Sequence, residues 1–509
     1  MSGNFWQTKL FNLYNQRSVL CKFSAVVVCL LIFVYYGYLR FGVFVDLKKE
    51  FLRREYFSDD EINGISLDHC KIPLVELNNP EYLRAYQDIP TLMDEMKEIC
   101  ASTPDFSKLE NNKLYLTDTT FKNCCVTEVT RKWRDSLDNY ILSDSCVQIG
   151  NHNNGLDVAH MEFIEGRLKP KIDFWKNQSS SERPYSIFTL VIDSTSRAEF
   201  FRSLTQTVDH LLSTMNFVNF RGHHPLGEPT QNNAMPMLMG IQRSVFKKEY
   251  IDYNEQKFWD ETPFIWRSFN ELNYLTGYFE DDPAVGTFNY GRQLGFEVQP
   301  THLYTRPLMA AHTDGTNYSD YKQYCFGHRN VIEFMLDYHF ETLLHLSEVP
   351  TFQVTWPCWI QHNYGGSLSF LDHTYKNFFK KISENSQILE NAMLVVVSDH
   401  GFYKTTPTDG YAVTHGGLLE RRNVPLFVRL PDRLQREHPE MVENLKWNSQ
   451  LITSHYDIYQ TFVQIAKMSG ETAPLTNLTT YGSSLLEKIP RNRTCKEARI
   501  PETMLDQKP

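Results

Sequence analysis

Several residues in this chain are of the types that bind metal ions or act as nucleophiles. Asp193, Asp399, His400, His362 and His415 are carboxylates and imidazoles, and each lies just after or just ahead of an apolar run. Carboxylate and imidazole together form a borderline donor set that suits zinc or a similar divalent ion. Thr230 has a hydroxyl and stands ahead of the short stretch 231–239, which Gly240 closes. A hydroxyl at a helix N-terminus lies beside free backbone N–H groups, which would stabilise an anionic group transferred onto its oxygen. Two plainer readings stay open: Asp193 caps the helix that follows it, and Thr230 caps its own.

The elements that must position these residues can be read from periodicity. The run 186–192 is apolar and rich in β-branched residues, as a strand buried on both faces of an α/β sheet should be. It ends on Asp193. A second run of the same form, 393–398, ends on Asp399 and His400. Open α/β sheets place their ligand sites at the carboxyl ends of such strands. Further strands are expected at 216–220, 274–279, 351–356 and 425–430, with helices at 231–239, 330–346, 370–385 and 454–467. This alternation argues for an α/β fold: a mostly parallel, mixed sheet covered by helices on both faces.

At 509 residues the chain suggests two or three units, and an apolar content of 41% is ample for a core. A net charge of −10 with no basic block argues against a nucleic-acid partner. Residues 24–45 are apolar apart from Arg40, long enough to span a bilayer, and no small-residue cleavage site follows. They read as one transmembrane signal anchor. Asn177, Asn317, Asn477 and Asn492 head glycosylation sequons, all beyond that segment. So do Cys70, Cys100, Cys124, Cys125, Cys146, Cys325, Cys358 and Cys495. An even set in an oxidising compartment points to disulfides. The expected layout is therefore a single-pass type II membrane glycoprotein with a lumenal or extracellular catalytic domain. It has a cytosolic tail (1–23), the anchor (24–45), a charged stem (46–69) and a disulfide-rich N-terminal subdomain (70–180). The α/β domain (181–490), which carries the candidate site, and a polar, loose C-terminal tail (491–509) complete it.

The quoted stretches, together with CKIPLVELNNPEYL from residue 70, FKNCCVTEVTRKWRDSL from 121, VIDSTSRAEF from 191 and VVVSDHGF from 395, resemble the family catalogued as domain of unknown function 229. That family is a branch of the alkaline phosphatase-like superfamily of phosphatases, sulfatases and phosphodiesterases. The resemblance implies a three-layer α/β/α core with one or two divalent ions, zinc by chemistry, at the carboxyl strand ends. Asp193, Asp399 and His400 would hold one ion, which the nucleophile Thr230 would bridge to substrate. Asn233 would help hold an oxyanion, and His362 and His415 would belong to a second metal site. Ordinary sulfatases of this fold need a Cys or Ser in the nucleophile motif, whereas this chain has Thr230-Gln231-Asn232-Asn233. The implied activity is that of a phosphoric ester hydrolase or phosphoryl transferase, acting on a phosphorylated small molecule, lipid or glycan.

One position departs from the superfamily pattern. Cys358 stands where relatives with a complete second site carry an aspartate, four residues before His362. It is either a thiolate ligand or, as the even cysteine count favours, half of a disulfide. The departure motivates a second reading, in which the ectodomain has lost catalysis and serves as a binding or structural module. The acidic triplet Glu280-Asp281-Asp282 has no role legible in the sequence, and His455 reads as structural.

Overall fold

The computed structural model describes residues 76–504, apart from 103–106, 180–182, 251–257, 291–292, 314–323, 327–328, 404–409, 473–476 and the segments between short strands over 107–159. The expected tail, anchor and stem (1–69), Cys70, Cys124, Cys146 and Asn317 lie outside the described residues, as does the side chain of Cys125. Among the described residues no helix is long and apolar enough to cross a membrane.

Seven strands form the central sheet: β1 (Ser186–Val191), β2 (Val218–Asn219), β3 (Leu275–Glu280), β4 (Leu303–Tyr304), β5 (Thr351–Trp356), β6 (Ala392–Val397) and β7 (Leu426–Arg429). Their spatial order is β4-β3-β5-β1-β6-β7-β2. The first five run parallel, and β7 is antiparallel to both of its neighbours. The sheet is thus mixed and mostly parallel. Every residue of β3, β5, β6 and β7 is buried, as in a sheet covered on both faces; β6 is a continuous apolar run, whereas β5 carries Thr351, Gln353 and Thr355 between its apolar residues.

Helices cover both faces. On one lie α1 (Arg197–Ser203), α3 (Val331–His345) and α5 (Asp372–Ser383); on the other lie α2 (Gln231–Met239) and α6 (His455–Ser469). Ile187 and Val191 of β1 pack with Met235 of α2 and Phe462 of α6. Phe188, on the opposite face, meets His339 of α3 at 4.6 Å and Phe378 of α5 at 5.6 Å between ring centroids. Burying each such side chain stabilises the fold by about 1.5–3 kcal/mol, so the alternation along β1 fixes which helices lie on which side. The result is three layers, α/β/α.

Two expectations about the flanks change. The described parts of 76–179 do not form a separate unit, because the described residues belong to one compact body. Tyr82 and Tyr86 pack edge-on against Tyr411, and a disulfide joins Cys100, in the helix Ile89–Ala101, to Cys325. Nor is the stretch from 491 to 504 loose. Arg493 holds the buried Asp457 carboxylate with two hydrogen bonds of 2.8 Å, while Ala498, Ile500 and Met504 pack against Ile452 and Tyr456. Cys495 is disulfide-bonded. A short polar segment hid this anchoring because its apolar residues are too few for a pattern.

Candidate active site

The site begins with the register of two central strands. β1 and β6 are parallel neighbours with Val191 opposite Val397. Two residues further on, Asp193 and Asp399 therefore emerge side by side, both buried. Ser194 takes a positive φ of 54°, a conformation that a non-glycine residue holds only when its surroundings enforce it. Its N–H donates to Asp399 Oδ1 at 3.0 Å and its hydroxyl to Asp193 Oδ1 at 2.7 Å. One strained residue thus ties the two carboxylates together.

His400 completes the cluster. Asp193, Asp399 and His400 each offer a donor atom, and these atoms lie within 4.8 Å of one another. His400 Nδ1 is 2.9 Å from the carbonyl oxygen of Gly401. A carbonyl only accepts, so Nδ1 carries the proton and Nε2 presents a lone pair. That lone pair lies 3.2 Å from Asp399 Oδ2, a buried oxygen with no hydrogen-bond partner. Two acceptors facing each other in a buried site repel unless a proton or a cation lies between them. Burial, with the Asp193 carboxylate beside it, pushes the Asp399 carboxyl above the usual carboxylate range. The donor set and its orphaned oxygen fit a divalent cation. Gly401 is required here: a Cβ on it would come within 2.8 Å of Arg421 Cα.

Thr230 reaches the cluster from the opposite element. It occupies the N-cap position of α2, yet its side chain makes no capping hydrogen bond. The hydroxyl instead lies 3.5 Å from Asp193 Oδ2 and 3.2 Å from His400 Nε2. The N-cap reading of Thr230 therefore fails, and so does that of Asp193, because Ser196 caps α1 through Glu199 N at 3.0 Å. Gly240 ends α2 in the left-handed conformation, with φ of 68°.

Three other expected site residues are placed differently. Asn233 is fully buried, but its amide is spent on the loop ahead of Thr230: Oδ1 accepts from Leu226 N at 2.6 Å, and Nδ2 donates to Gly227 O at 2.7 Å. It shapes the loop and has no free donor to turn on an oxyanion. His362, in the short helix α4 (Trp359–Asn363), and His415, exposed at the start of the helix His415–Glu420, do not join the cluster. Cys358 corrects the disulfide expectation: it is a free, buried thiol. Its Sγ lies 3.2 Å from Asp281 Oδ1, and burial followed by the Asp281 charge raises its pKa well above the usual thiol value.

The sequence reading missed Ser194, whose strained backbone leaves no sequence signal, and Trp356. The indole N–H of Trp356 donates to Asp193 Oδ2 at 3.1 Å. Its only sequence signal is its place at the last position of an expected strand. His455 is structural, as expected: Nε2 donates to Ser398 O at 3.1 Å and holds the turn that carries Asp399.

A family model described as "Protein of unknown function (DUF229)" matches residues 76–504. The chain belongs to this family. No curated protein matches it. Solved structures similar to it include a protein in the alkaline phosphatase superfamily from Vibrio parahaemolyticus (12% identity, 64% of this chain and 79% of that one, TM-score 0.40). Others are the lipoteichoic acid synthase LtaP from Listeria monocytogenes (15%, 62% and 81%, TM-score 0.39) and the C-terminal periplasmic domain of EcEptC from Escherichia coli in complex with zinc (13%, 64% and 98%, TM-score 0.36).

Proposed function

We propose that this member of the family is a metal-dependent enzyme that transfers a phosphoryl-type group from a phosphate ester by way of Thr230. The observation that carries the reading is the Thr230 hydroxyl, released from its capping role and turned onto Asp193 and His400. Asp193, Asp399, His400 and Thr230 would hold a divalent ion, zinc by the chemistry of the donors. Such an ion would lower the pKa of the hydroxyl and neutralise charge on the phosphoryl oxygens.

The chain's own residues supply the rest. Thr230 Oγ1 forms a bond to phosphorus while the ester P–O bond breaks, leaving a phosphothreonine. Asp193 Oδ2 is within reach of the hydroxyl proton, while the His400 Nε2 lone pair would be taken by the ion. The N-terminus of α2 adds favourable dipole next to the phosphoryl group. Water, or an acceptor hydroxyl, then forms the second bond to phosphorus as the Thr230 oxygen leaves. Tethering by 24–45 would hold this site near a membrane in the secretory pathway or at the cell surface, where the ester belongs to a lipid head group or a glycan.

The test is Thr230→Ala in the full chain, assayed on chromogenic phosphomonoesters and phosphodiesters. Turnover is expected to fall by about 10³-fold or more with the fold intact, since removing a nucleophile removes the covalent route. Thr230→Ser should retain part of the activity, and mass mapping of quenched wild-type protein should find phosphate on Thr230. The loss of the usual aspartate at Cys358 favours the non-catalytic module as the second reading. Equal turnover by wild type and Thr230→Ala, or none by either, would support that module and reject the enzyme.

A further inference from the structure

The acidic triplet at the end of β3 has no role in the steps above, yet all three residues are buried. Glu280 accepts from Thr287 N and Thr287 Oγ1, at 2.6 and 2.8 Å. Asp282 accepts from Ala284 N and Val285 N, at 2.9 and 3.0 Å. These bonds stay within the loop that follows β3. Asp281 crosses to the end of the neighbouring strand, β5. Its Oδ1 accepts from Cys358 N at 2.8 Å and from Cys358 Sγ at 3.2 Å, and its carboxylate takes Trp359 N at 3.2 Å.

The corner held in this way is the one that holds Asp193. Pro357 O accepts from Asp193 N at 3.4 Å, and Trp356, with its side chain wholly buried, donates to Asp193 Oδ2. We infer that Asp281 is a positioning residue for Asp193, acting through the Trp356–Trp359 corner, and that its pairing with Cys358 closes this corner to a second metal ion. The inference rests on the reading of Asp193, Asp399 and His400 as metal ligands. A metal at Cys358 would need the thiol deprotonated and the Asp281 lone pairs freed. The amides of Cys358 and Trp359 would then lose their acceptor inside a buried site, a cost the fold avoids by keeping the pair intact. Neighbours that orient a ligand tune its affinity for the ion. A residue that only caps α4 would affect stability and leave the ion's affinity alone.

The experiment measures zinc per chain and zinc affinity, by competition against a chromophoric chelator, in the full chain purified in detergent. Variants are Asp281→Asn, Trp356→Phe, the double variant and Asp282→Asn. The last alters a carboxylate of the same triplet that accepts from Ala284 N and Val285 N. Wild type should hold one ion. Asp281→Asn and Trp356→Phe should each weaken zinc binding by about 10–100-fold. The double variant should be little weaker than either single one, because both act along one path, and Asp282→Asn should stay within about threefold of wild type. If Asp281→Asn does not fold, Trp356→Phe, which leaves Asp281 and its amide partners in place, carries the comparison. Two ions per wild-type chain, unchanged affinity in folded Asp281→Asn or Trp356→Phe, or equal weakening in Asp282→Asn would overturn the inference while leaving the metal reading standing. No ion in wild type under zinc-replete conditions would overturn both.

Discussion

Cys358 shows how far a single side chain can depart from what its position suggests. Its thiol is buried, faces a carboxylate, and has its pKa raised well above the ordinary value. Thiols react as thiolates and only when reagent reaches them. In the folded protein Cys358 should therefore resist iodoacetamide, and it should be alkylated after denaturation without any reductant. Peptide mapping checks both; rapid alkylation of the native chain would contradict the buried pair. Glu280 makes a second case. Burial raises its carboxyl to about 8, against the lowering effect of the two donors from Thr287. The folded state therefore binds a proton that the unfolded chain releases near 4.5. Its contribution is fully present at low pH and is lost as pH climbs from about 4.5 towards 8, by an amount on the order of a few kcal/mol. Denaturation midpoints at pH 5 and pH 8 should diverge in wild type and converge in Glu280→Gln. A variant with the full wild-type slope would show that other groups set it.

At the scale of elements, α2 is the part that delivers the Thr230 hydroxyl, and its C-terminal end fixes where it lies. Gly240 sits at φ 68°, and a Cβ there would come within 2.4 Å of two ring carbons of Tyr459 in α6. Gly240→Ala meets both costs, the left-handed backbone and the overlap with a buried ring. The expected loss is about 2–4 kcal/mol of unfolding free energy, read from urea denaturation. Pairing it with Tyr459→Leu should recover the steric part and leave the backbone part. Full stability in Gly240→Ala alone would mean that α2 can end in another way. The same logic explains why β1 and β6 matter more than their length suggests. Their parallel register places two carboxylates side by side, and the helix facing their ends brings in the hydroxyl.

For the whole molecule, the question is the compartment in which this site works. Asn177, Asn477 and Asn492 are exposed, as acceptors of a glycan must be. Expressed in a secretory host, the full chain should shift to higher mobility on endoglycosidase treatment and should partition with membranes through 24–45. Substituting all four sequon asparagines should abolish the shift. A chain that carries no glycan in such a host would place the ectodomain on the cytosolic side and remove the case for a lumenal substrate. The Cys100–Cys325 disulfide and the Arg493–Asp457 pair tie the two described flanks to the α/β body, so the described parts of the expected N-terminal subdomain and C-terminal tail belong to one folded unit.

The sequence alone marked β1 and β6, because strands buried on both faces of a parallel sheet favour apolar runs. β5 matches the expected 351–356, and α2 the expected 231–239. It also marked Asp193, Asp399, His400 and Thr230, because strand ends and a closing glycine are local signals. What only the tertiary structure decided were contacts between segments far apart in the chain. Asn233 turned inward to its loop, and His362 and His415 stayed apart from the cluster. The even cysteine count misled for Cys358, since a count carries no geometry. Asp281, opaque as one member of an acidic triplet, acquired a role through a strand end 77 residues away. Hydrogen bonds of that kind depend on which strand lies beside which, and strand order is set by packing of the whole sheet rather than by any local pattern.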